Sequence, residues 1–105
     1  MFERLSQIEA DYVALEESLG TPEVLNDQNK LREASRRYKQ QTPLIQCIRE
    51  YKEVEGNAEA ARELMADAKG AEREQLQNEL EASQARIAEL EEKLKVLLLP
   101  PDPND

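Results

Sequence analysis

Five cations crowd into ten residues: Lys30, Arg32, Arg36, Arg37 and Lys39, with Glu33 the single acid among them. Such a cluster can neutralise phosphate oxygens or meet an acidic protein surface, chemistry that Lys and Arg perform without a cofactor. The same residues also suit a plain solvated helix face on which Glu33 and Arg37, four positions apart, form an ion pair. Both readings are open on the residues alone.

Catalytic chemistry finds no foothold. The sequence has no histidine and a single cysteine, Cys47, so it can assemble neither an internal disulfide nor a zinc or iron ligand set. No glycine-rich phosphate loop or nucleophile motif occurs. The adjacent acids Glu16-Glu17 and Glu91-Glu92 fall on helix faces expected to be solvated. Cys47, between Ile45 and Ile48, reads as a small apolar packing residue. Tyr12, Tyr38 and Tyr51 fall on apolar stripes, with their hydroxyls expected at the rim. The expectation is a protein that is not an enzyme and holds no cofactor and no metal.

These side chains must be carried on helices. The 105 residues are 35% charged, 39% hydrophobic and 4% aromatic, too little apolar matter for a thick core but enough for narrow stripes on packed helices. Glu, Gln, Ala, Leu, Lys and Arg dominate, the residues that lose least on entering a helix. The formal net charge of −9 and pI near 4.6 exclude a chain that binds nucleic acid over its whole surface, so any such contact must be local. No signal-peptide pattern and no membrane-spanning run is present, and a cytoplasmic, monomeric protein with no membrane partner is expected.

The first helix is expected over 2–19, with Leu5, Ile8, Tyr12, Leu15 and Leu19 stepping by three and four and Gly20 as a left-handed cap. Thr21-Pro22-Glu23 offers a short helical turn within a reversing connector, and Asn26-Asp27 a second start. Leu31, Ala34, Tyr38, Ile45 and Ile48 share one stripe; Tyr51, Val54, Ala58, Ala61, Met65 and Ala68 share another, slipped by one residue. The slip follows Pro43, which removes a hydrogen bond and crowds the preceding turn, and Thr42 can cap. Helices over 27–41 and 43–66 are therefore expected, separated by a restart or a sharp kink. Gly56 weakens the second without ending it. Gly70 marks a turn into a last helix over 71–99, antiparallel to its neighbour, whose seam runs Leu76, Leu80, Ile87, Leu90, Leu94 and Leu97, with Ser83 filling the missing step. Glu89 with Lys93 and Glu91 with Lys95 would pair along its exposed faces. The fold class expected is all-α: an antiparallel helical hairpin or three-helix bundle with coiled-coil-like packing and a long C-terminal helix. Residues 1–99 would form one helical domain and 100–105 a Pro-rich linker.

The wording of the last helix adds a resemblance. Lys95-Val96-Leu97-Leu98-Leu99-Pro100, followed by Pro101-Asp102-Pro103-Asn104-Asp105, resembles the exit from the first domain of the bacterial peptide chain release factor 1 family, class I translation termination factors. The Met1-Phe2 start, the leucine-rich first helix, the basic helix around Tyr38 after Asn26-Asp27, and the segment from Glu59 to Met65 extend it over the chain.

The resemblance implies a ribosome-docking helical domain of a factor that directs termination at UAA and UAG stop codons. It also implies a partner at the large-subunit stalk base, ribosomal RNA and protein, with Lys30, Arg32, Arg36, Arg37 and Lys39 as the ribosome-binding candidates. The codon-reading tripeptide and the Gly-Gly-Gln loop of that family are absent from these residues, so no catalytic residue carries over. The chain would be an excised domain or a truncated product, with 100–105 leading to a missing downstream part. The alternative is a generic helical scaffold or coiled-coil interaction module unrelated to translation.

Overall fold

Helices are the only regular elements among residues 2–100, the residues that the computed structural model describes. α1 spans Phe2–Ser18, α2 Pro22–Leu25, α3 Gln28–Met65 and α4 Gly70–Leu97. The fold divides into two units, Met1–Ile48 and Arg49–Asp105. The expected linker residues 101–105 lie outside the described residues.

In the first unit α1 runs antiparallel to the early part of α3. Tyr12 meets Tyr38 and Thr42, and Glu16 meets Tyr38, so rising numbers on one helix match falling numbers on the other. Leu5, Tyr12, Ile45, Cys47 and Ile48 are buried, as the apolar stepping requires; Ile8, Leu15 and Leu19 are half-buried. Cys47 is indeed an interior side chain. α1 does not end on a left-handed glycine: among the described residues only Gly70 has a positive φ. Tight backbone bonds close the helix instead, from Gly20 N to Glu17 O at 3.1 Å and from Thr21 N to Ser18 O at 3.1 Å. The hydroxyls of Ser18 and Thr21 donate to Leu15 O and Ser18 O, each at 2.7 Å. The last carbonyls of α1 are thereby satisfied without αL geometry. Thr21, spent on that task, gives α2 no side-chain cap. α3 does receive one: Asp27 Oδ1 accepts from the backbone N–H groups of Asn29 at 3.0 Å and Lys30 at 3.1 Å.

The two helices expected on either side of Pro43 are one. α3 continues through it for 38 residues, and Thr42 caps nothing. Its hydroxyl donates to Tyr38 O at 2.8 Å, a bond back to the carbonyl four residues earlier. Pro43 therefore sacrifices one backbone bond inside a helix whose other bonds and buried face hold it on both sides. The slip in apolar stepping is a change in the buried stripe along a continuous helix, which needs no break.

In the second unit the late part of α3 and α4 form an antiparallel hairpin. Arg73 donates to Met65 O at 2.8 Å near the turn, and Arg86 binds Glu50 far from it. Gly70, at φ 63°, makes that reversal possible. Leu76, Leu80, Leu90 and Leu94 are buried as the seam predicts, and Ile87 packs with Met65 against Ala58, Ala61 and Leu80. Tyr51 is buried too; burial, with a hydrogen bond to Glu55, pushes its hydroxyl up to about 12. The pairs expected on α4 form differently: Arg86 takes Glu89 at 3.0 Å and Lys95 takes Glu92 at 3.1 Å, each three positions apart.

Candidate anion-binding surface

Asp27 fixes where α3 begins, and the five cations follow within its first three turns. An α-helix advances about 100° per residue, so their numbering decides where each points. Arg32, Arg36 and Lys39, spaced by four and three, form one stripe. Lys30 and Arg37, seven apart, form another. Leu31, Ala34 and Tyr38, which face inward, leave the first stripe pointing away from the protein. The single basic face read from the sequence is therefore two faces.

The two stripes differ in their partners. Lys30 Nζ lies 3.0 Å from Glu23 Oε1 on α2, and that hydrogen bond raises the ammonium above its ordinary value. Arg37, with Leu15, Val24, Ala34 and Glu33, lines a groove of about 400 Å³ between α1, α2 and α3. Glu33 does not pair with Arg37; it accepts from Arg36 Nη2 at 2.8 and 2.9 Å. Arg32 and Lys39 make no ion pair among the described residues. The outward stripe thus holds three cations over a rise of about 10 Å, one of them shared with an exposed carboxylate that water screens. Phosphate groups could replace Glu33 at Arg36 with little loss.

The model of the PCRF domain matches residues 8–105. The chain belongs to the PCRF domain family. This PCRF domain is 45% identical over all of its length to the peptide chain release factor 1 of Geobacter sulfurreducens, and it covers 29% of that protein. It is 42% identical to the proteins of the same name from Halalkalibacterium halodurans and Oceanobacillus iheyensis, with 100% of the chain and 30% of each relative covered. The chain thus spans about three-tenths of the length of the curated relatives it matches. No solved structure matches it.

Sequence reasoning about this PCRF domain missed Glu23, which pairs with Lys30 across the break between α2 and α3. Its signal was weak, because Glu23 lies seven positions before Lys30 across a break between helices, where periodicity says nothing. Among the described residues no helix is long and apolar enough to cross a membrane, and no three His, Cys, Asp or Glu side chains are grouped to hold a metal ion.

Proposed function

We propose that this PCRF domain is the ribosome-docking part of a cytoplasmic peptide chain release factor that directs termination at UAA and UAG stop codons. In this reading it is monomeric and performs no catalysis. Arg32, Arg36 and Lys39 meet phosphates of the large-subunit stalk base, while Lys30 and Arg37 contribute less because they lie on another face. The observation that carries the reading is the match of the whole chain to proteins named peptide chain release factor 1, at 42–45% identity in the three compared. The outward cations supply the chemistry that a ribosomal RNA contact needs. The rival, a coiled-coil module of unrelated role, would need an apolar seam free for a second chain; Leu76, Leu80, Leu90 and Leu94 are at most 9% exposed within a single chain.

A chimera tests the proposal. The chain replaces the segment it matches in the Geobacter sulfurreducens factor, and peptide release is measured on ribosomes programmed with each stop codon. Ribosome binding and release close to those of the unaltered Geobacter factor are expected, with the same choice of stop codons. A folded chimera that fails to bind ribosomes would sink the docking role.

A further inference from the structure

The missing step in the α4 seam is a groove in the second unit. Ser83 occupies the position where a leucine would continue Leu76 and Leu80, and opposite it α3 presents Ala60 and Ala61. These small side chains leave about 410 Å³ open, with Leu64 at the edge. Leu64 is 60% exposed, although its neighbour Leu76 is buried. A large apolar side chain on the lip of an apolar groove is a surface that gains by being covered.

The charge around it selects the cover. Glu79 lines the groove, Glu53 stands one turn before Asn57 on α3, and Glu72 one turn before Leu76 on α4; Arg73 and Arg86 also lie within a turn of the lining but are engaged, Arg73 with Met65 O and Arg86 with Glu50 and Glu89. All three acids of the rim are exposed, and none makes an ion pair among the described residues. After Ile48 the sequence holds fifteen acids against eight bases, so a second copy of this chain would bring like charge to the groove. The groove of the first unit differs: Lys30, Glu33 and Arg37 line it with both signs, which selects neither.

We infer that the Ser83 groove docks an amphipathic helix of a basic partner protein. Its aliphatic side chain enters between Ser83 and Ala60, and its lysines or arginines meet Glu53, Glu72 and Glu79. The apolar insertion supplies affinity, and the carboxylates set orientation and exclude acidic competitors. This surface is separate from the cationic stripe, takes a partner of opposite charge, and does not depend on the proposed ribosomal role.

The test uses the whole chain and a labelled synthetic helical peptide with leucines on one face and flanking lysines, followed by fluorescence anisotropy. Control peptides carry alanine for leucine or glutamate for lysine. Ser83→Leu fills the groove in keeping with the seam, and Glu79→Lys reverses a rim charge at an exposed site; circular dichroism confirms that each variant folds. The leucine–lysine peptide should bind the parent chain, bind each variant roughly tenfold more weakly, and bind more tightly than either control. Absence of binding, equal binding of the alanine peptide, or undiminished binding to Ser83→Leu would overturn the inference. So would self-association of the parent chain, seen by sedimentation, that Ser83→Leu abolishes, since a second copy would then be the occupant.

Discussion

Tyr12 and Tyr38 stack with ring centroids 4.7 Å apart and planes inclined by 14°. The pair joins α1 to α3, and hydrogen bonds hold both rings. Thr42 donates its hydroxyl proton to Tyr38 O, so the Tyr12 hydroxyl, 3.0 Å from Thr42 Oγ1, is the donor there. The Tyr38 hydroxyl donates to Glu16 Oε2 at 2.6 Å, which raises it well above the ordinary phenol value.

Tyr12→Ala should therefore lower the unfolding free energy by about 3 kcal/mol, the usual loss for a buried aromatic side chain. The effect should not add to that of Tyr38→Ala, since each removes the same stack. Urea denaturation of the two single variants and the double variant measures this. Strict additivity would show that the rings contribute independently.

Acid should weaken the second unit through Glu50. Arg86 Nε and Nη2 bind its two oxygens at 2.7 and 2.9 Å, and these bonds hold the carboxyl below its ordinary value of 4.5 against an opposing push from desolvation. A carboxylate with a lowered native pKa stabilises fully above the unfolded value and loses that contribution as pH falls through the native one. Glu50→Gln should thus flatten the stability curve below about pH 4.5. The side chains of Arg86 and Glu50 are 41% and 42% exposed, so high salt should shrink the difference. Superimposable acid limbs for variant and parent would refute the assignment.

Three backbone positions should respond with opposite signs. Pro43→Ala restores an N–H donor in the middle of α3 and should raise stability by about 1–3 kcal/mol. Gly56→Ala, where an added Cβ meets nothing within 4 Å, should raise it by about 0.5–1 kcal/mol. Gly70→Ala forces a Cβ into left-handed geometry and should lower it by about 1–2 kcal/mol. Thermal melting of the three variants suffices. A stabilising Gly70→Ala would mean the turn does not need its positive φ.

The cationic stripe predicts a division among residues close together in sequence. Reversing Arg32, Arg36 and Lys39 to glutamate in the release-factor chimera should weaken ribosome binding and reduce its salt slope by about 1 for each phosphate no longer neutralised. Reversing Lys30 and Arg37 to glutamate instead should change both less for each charge reversed, since these two lie on another face of α3. Equal effects for each charge reversed in the two sets would mean that total charge matters and the face does not.

Helix positions and buried stripes were legible without coordinates because they depend on neighbours three and four residues away. Leu76, Leu80, Leu90 and Leu94 lie in the interior as their spacing requires, and Asp27 opens α3 as its type and place suggest. The split of the five cations was also in the sequence, since about 100° per residue separates Arg36 from Arg37. Counting charges in a window concealed it.

Where two local rules competed, only the tertiary structure decided. Pro43 argued for a break, but packing on both sides of it carries α3 through, because a continuous buried helix gains more than one missing hydrogen bond takes away. Gly20 could have been left-handed, yet the carbonyls at the end of α1 found N–H and hydroxyl partners first. Arg36 and Arg37 both lay within reach of Glu33, and side-chain geometry chose Arg36. Lys30 was paired by Glu23 from another helix, and Ser83 became a groove because alanines happen to face it. The sequence by itself determined which residues form helices and which face of each is apolar, a matter of period and propensity. Which polar groups are satisfied and which remain free depends on elements brought together from elsewhere in the chain, and no period within one helix encodes that.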